Sequence, residues 1–120
     1  MLENNKCILS YGLNTVELEK LKTLKHKVIE ITPDMSKMKL NDILKGIRIY
    51  IANENPIKGK MILYNNFSEN EIKSVIKETR NCVKDGVLAI VTPTSIEWEV
   101  EYLIKHLIEE RDFYLKSRKG

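Results

Sequence analysis

The polar side chains best placed to do chemistry are Tyr11, Asn14, Asn65, Asn66 and Ser68. They fall in two short loops, Tyr11-Gly-Leu-Asn14 and Asn65-Asn-Phe-Ser68, each between an apolar run and a helix start. Hydroxyls and amides of this kind hydrogen-bond a ligand, and the free amides of a helix N-terminus favour an anion. The chemistry open to them is the binding of a small anion. None is a strong acid, base or nucleophile. Each also has a conformational role, since Gly12 and Asn66 suit a positive φ while Asn14 and Ser68 suit helix caps. The pattern leans away from an enzyme and toward a binding or interaction module. A small-anion-binding enzyme or sensor is the rival reading.

Other chemistry is thinly represented. There is no Gly-x-Gly-x-x-Gly and no Gly-x-x-x-x-Gly-Lys, so neither loop is a phosphate-binding fingerprint. His26 and His106 have no partner at metal-ligand spacing, and Cys7 and Cys82 form no Cys-x-x-Cys pair. No metal and no cofactor is expected, and the two thiols read as buried and reduced. Trp98 reads as a core anchor at the first turn of its helix.

The elements that must position these residues recur in one order. Cys7–Tyr11 and Met61–Asn65 are apolar runs of strand length, each followed by a loop and a capping box, Asn14-x-x-Glu17 and Ser68-x-x-Glu71. Helices follow, with Leu18, Leu21 and Leu24 in the first and Ile72, Val75, Ile76 and Thr79 in the second. A second run closes each half, Val28–Thr32 and Val87–Thr92, and a proline stops it. Leu40, Ile43, Leu44 and Ile47 then mark one last helix. Thr94-x-x-Glu97 reads as a third capping box, opening a helix over residues 95–116.

The halves match at an offset of 54 for Ile8/Ile62, Leu9/Leu63 and Glu17/Glu71, and of 60 for Thr32/Thr92, Pro33/Pro93 and Ile43/Leu103. Residues 1–120 thus read as one domain with pseudo-repeats at about 6–47 and 60–110. Residues 49–60 read as a linker in preference to a short edge strand. Strands separated by helices are expected to be parallel. The fold class predicted is α/β: two βαβα repeats forming a four-stranded parallel sheet, order 2-1-3-4, with helices on both faces. In such a sheet the two loops share a crevice at the carboxyl ends of strands 1 and 3. The Val87–Thr92 run looks apolar enough to be central, which sits badly with its place at an edge.

Net charge is +3, and residues 111–120 alone supply it through Arg111, Lys116, Arg118 and Lys119 against Asp112. The other 110 residues carry 16 basic and 16 acidic side chains, which argues against a nucleic-acid face. No apolar run approaches the roughly 18 residues of a membrane span, and Met1–Lys6 does not begin a signal peptide. A cytoplasmic location is expected. The last helix should overhang the sheet, leaving Phe113, Tyr114 and Leu115 to meet another chain, either a homodimer copy or a partner protein.

Ile62-Leu-Tyr-Asn-Asn-Phe-Ser68, Ala89-Ile-Val-Thr-Pro-Thr94, Trp98 and Leu103 to Glu110 together resemble the domain of unknown function 3783 family, a group of small bacterial proteins. The resemblance covers roughly residues 60–113. The chain departs from the family pattern at Asn66, Ser95 and Arg111, where Gly, Asn and His are usual. The resemblance implies a soluble bacterial α/β domain and brings no activity with it.

Overall fold

The structure is a computed structural model that describes residues 6–119. Met1–Asn5, on which the signal-peptide reading rests, lie outside the described residues, as do Gly120 and the side chains of Arg118 and Lys119 in the basic tail. The chain divides into two compact units, each assembled from two stretches of sequence. The first holds residues up to Thr32 and Lys58–Val91; the second holds Pro33–Ile57 and the residues from Thr92 on. The chain leaves the first unit at both Thr-Pro pairs.

The first unit is a four-stranded sheet with two helices. Strands β1 (Cys7–Tyr11), β2 (Val28–Ile31), β3 (Met61–Asn65) and β4 (Val87–Ile90) lie in the order β2-β1-β3-β4. Helix α1 (Thr15–Lys22) crosses from β1 to a parallel β2, and α3 (Glu69–Cys82) crosses from β3 to a parallel β4. The order is as predicted. The direction is not: β1 and β3 run antiparallel, with Leu9 opposite Leu63 at the centre and Cys7 and Tyr11 opposite Asn65 and Met61.

That reversal also moves the helices. Right-handed crossovers leaving a parallel central pair toward opposite edges would lie on opposite faces, but from an antiparallel pair they lie on the same one. Accordingly Leu21 of α1 and Val75 of α3 share a core with Ile8, Ile62 and Tyr64 of the strands. The expected placement of these helices on both faces is thereby corrected. The central strands are buried on both faces, which explains their continuous apolar runs. Strand β4 is an edge despite its composition, and Ile90 is left exposed.

Both helix starts are built as their spacing indicates. The Asn14 side chain accepts from the Glu17 amide at 2.8 Å, and Ser68 Oγ accepts from the Glu71 amide at 3.2 Å. Each glutamate returns the bond to its cap amide. Gly12 has φ +80°, and a Cβ there would stand 2.0 Å from the Gly59 carbonyl oxygen. Asn66, its counterpart in the other half, has φ 68°, which asparagine tolerates.

The second unit holds α2 (Leu40–Leu44) and α4 (Val100–Lys119), each preceded by a 3-10 turn, Pro33–Met35 and Ser95–Glu97. Gly46 at φ +91° ends α2 before Ile47, so the predicted stripe is one turn too long. The linker reading holds for 49–60, which contain no strand. The third capping box does not form. Thr94 is helical in φ and ψ and makes no side-chain cap bond. Thr92 takes that part instead: its Oγ1 accepts from the Ser95 amide, and Ser95 Oγ accepts from the Thr92 amide, each at 2.9 Å. Trp98 is extended, and α4 begins two residues beyond it. The two segments before the helices bond reciprocally, Leu40 amide to Trp98 carbonyl and Val100 amide to Met38 carbonyl, both 3.0 Å, around an antiparallel bridge of Lys39 with Glu99.

Candidate functional site

The five loop residues do not converge. Because β1 and β3 are antiparallel, Tyr11 ends its strand beside Met61 while Asn65 ends the neighbouring strand beside Cys7. Tyr11 and Asn14 therefore lie at one end of the central pair, and Asn65, Asn66 and Ser68 at the other. The crevice expected between them is not assembled. Asn14 and Ser68 are engaged as caps, Asn66 turns the chain, and Tyr11 and Asn65 are buried at 2% and 1% exposure.

What the antiparallel pair assembles instead is two lysine–glutamate contacts. Lys60, just before β3, reaches the capping glutamate of α1: its Nζ lies 2.7 Å from Glu17 Oε2 and 2.9 Å from Asp85 Oδ1. Lys6, just before β1, is ion-paired with Glu71, the capping glutamate of α3. Lys6/Lys60 and Glu17/Glu71 share the offset of 54. Glu17 and then Asp85 raise the pKa of Lys60, and Lys60 in turn lowers that of Asp85. Lys6, with the Ser68 amide, holds Glu71 down to about 2. These carboxylates are committed to cations and to helix caps, so they serve structure rather than proton transfer.

Three further titratable groups lie in the sheet unit. Cys7 is buried, which pushes its thiol up and away from nucleophilic use. Burial also raises the Tyr64 phenol. His26 packs edge-on against Phe67 with ring centres 5.0 Å apart. Among the described residues no group of three or more His, Cys, Asp or Glu is placed to hold a metal ion, and no helix is long and apolar enough to cross a membrane.

The surface that stands out belongs to the second unit. Trp98, Tyr102 and His106 form an aromatic ladder, Trp98 edge-on to both others and Tyr102 stacked on His106 at 12°. Trp98 is half-buried rather than a core anchor, and Tyr102 is 55% exposed. A depression of about 240 Å³ is lined by Met38, Lys39, Asp42, Ile49, Ile51 and Glu99, among others. Further along α4, Phe113, Tyr114 and Leu115 are exposed at 74%, 60% and 47%. The aromatic ladder was missed in the sequence, although its i, i+4, i+8 spacing is visible there.

Residues 60–114 match the family model described as a domain of unknown function, DUF3783. The matched stretch runs through β3, α3, β4 and most of α4. No curated protein and no solved structure matches the chain.

Proposed function

We propose that the protein is a non-enzymatic interaction module that works as a homodimer, with Phe113, Tyr114 and Leu115 of α4 in the contact. The observation that carries this reading is the distribution of exposed apolar side chains. Of the ten large ones on the surface among the described residues, eight belong to the second unit, and three of those are consecutive on α4. Large apolar side chains left in water in this number mark an interaction site. The deployment of Glu17, Glu71 and Asp85 in ion pairs supports the non-enzymatic half of the reading.

The same reading takes residues 6–47 and 60–110 as one unit written twice, within a small bacterial, cytoplasmic protein. It is supported by the two Lys–Glu contacts and by the reciprocal bonds around Lys39 and Glu99. Sedimentation equilibrium tests the homodimer. The chain should weigh two copies, and Phe113→Asp with Leu115→Asp should yield one copy with an unchanged melting temperature. A wild-type chain that stays monomeric into the millimolar range would overturn the proposal.

A further inference from the structure

The outward stripe of α4 carries more order than a general apolar patch requires. Tyr102, His106, Glu109, Phe113 and Lys116 recur at alternating steps of four and three, the spacing of a helix seam. The stripe lies on the side opposite Val100, Leu103 and Ile104, which are buried at 0%, 3% and 0% exposure. Tyr102 and Phe113 on it are large and exposed, and Glu109 and Lys116 are exposed as well. The helix is also divided in charge. Its first half, residues 100–110, holds Glu101, Glu109 and Glu110 against Lys105, with Glu97 and Glu99 just ahead of it, whereas residues 111–119 hold Arg111, Lys116, Arg118 and Lys119 against Asp112.

From this pattern we infer that α4 pairs antiparallel with α4 of a second copy, in one defined register. The inference rests on the homodimer reading and specifies its geometry. Antiparallel pairing lays the acidic half of each helix along the basic half of the other. One register satisfies the whole stripe at once: Tyr102 meets Phe113 of the other copy, Lys105 meets Glu110, His106 meets Glu109, and Glu99, whose carbonyl accepts from the Leu103 amide just ahead of α4, meets Lys116. Glu99, Lys105, Glu109, Glu110 and Lys116 then each face an opposite or titratable partner, and the two large rings face each other. The contact is self-complementary, as a two-fold dimer requires. A parallel arrangement would set like residues together and place acidic half against acidic half. Within one helix, the Lys105–Glu101 ion pair and the His106–Glu110 contact are long, 3.2 and 3.4 Å, and leave Lys105, His106 and Glu110 open to intermolecular partners.

The test is a charge swap read by sedimentation. Glu99→Lys and Lys116→Glu should each loosen the dimer about fivefold, because each occurs twice across a two-fold contact. The doubly swapped chain should return close to wild-type affinity. Tyr102→Ala should also loosen the dimer, which contact through residues 113–115 alone does not require. Isotope-filtered NMR on a mixture of labelled and unlabelled wild-type chains supplies a readout without mutation, with cross-peaks expected between the Tyr102 ring of one copy and the Phe113 ring of the other. A dimer that persists with additive swap effects and no such cross-peaks would sink the register and leave the homodimer standing. A chain that is monomeric at every concentration would remove both.

Discussion

The two units bury their apolar side chains to different degrees. In the sheet unit, β1 and β3 are buried along their whole length, and among its described residues only Val16 and Ile90 of the large apolar ones are exposed. In the other unit, Ile47, Ile49, Tyr50, Ile51 and Tyr102 are exposed, along with three successive residues near the end of α4. Both units come from the same stretch of evolution-neutral physics, in which apolar surface leaves water where it can. The difference lies in secondary structure. A βαβ crossover folds its own helix back over its strand, whereas a single helix of 20 residues, about 30 Å long, extends past anything its own unit can set against it. The sheet unit is where stability should reside, and α4 is where association should reside.

Substitutions at the centre of each region separate these roles most sharply. Leu9 is fully buried at the middle of the antiparallel pair, so Leu9→Ala should cost about 3 kcal/mol of unfolding free energy. Phe113→Ala should change it by less than about 0.5 kcal/mol while weakening self-association. Urea denaturation beside sedimentation would show both effects. A large stability loss from Phe113→Ala would erase the contrast between the units.

Two glycines sharpen the same comparison. Gly12→Ala must accommodate a positive φ and a Cβ 2.0 Å from the Gly59 oxygen, which belongs to the backbone and cannot swing aside. A cost of about 2 to 3 kcal/mol is expected. Gly46→Ala, at φ +91° but with nothing within 4 Å, should cost only about 1 kcal/mol for the backbone conformation. Thermal melts of the two variants give the ranking, and equal losses would mean that the approach of Gly59 is not tight in solution.

Helix caps come next in size. Asn14→Ala and Ser68→Ala should each lose about 1 kcal/mol, since each side chain satisfies an amide of its helix. Thr94→Ala should be nearly silent, because Thr94 makes no cap bond. Thr92→Ala should cost more than Thr94→Ala, and chemical denaturation would reveal the order. The reverse order would restore the Thr94 cap that the sequence suggests.

These residues also show what the sequence can and cannot express. The strand order 2-1-3-4 is legible from right-handed crossovers together with the edge pattern of Val28-Ile-Glu-Ile31, where Glu30 is exposed, although the apolar β4 gives no such sign. Strand direction is not written in that pattern. A strand buried on both faces looks the same from either end, and β1 and β3 are joined only through a long excursion into the other unit. The information lies in charges distant in sequence. Lys60 precedes β3 and Glu17 follows β1, so parallel strands would hold them about 17 Å apart, the length of a five-residue strand, and they meet because the neighbouring strand is reversed. The Thr94 reading failed for a local reason: Thr-x-x-Glu and Thr-x-x-Ser overlap by two positions, and Pro93 favours the turn that Thr92 and Ser95 close. The binding crevice depended on strand direction alone and went with it.

The smallest expected effect concerns the ion pair that ties β1 to the start of α3. Lys6 and the Ser68 amide hold the Glu71 carboxyl at about 2, below the ordinary value of 4.5. A depressed carboxylate contributes stability that is fully present above its unfolded value and is lost as pH falls toward the folded one. The sheet unit should therefore weaken between about pH 4.5 and pH 2. Lys6→Met should bring the Glu71 titration back toward the ordinary carboxylate range, leaving only the cap amide to lower it. Because the pair is exposed, the change should be modest and should shrink further in high salt. Carbon-detected NMR titration of Glu71 in the wild-type and Lys6→Met chains measures it directly. An unchanged Glu71 titration after Lys6→Met would mean that the cap alone holds the carboxylate, and that strand β1 is aligned with α3 by packing rather than by charge.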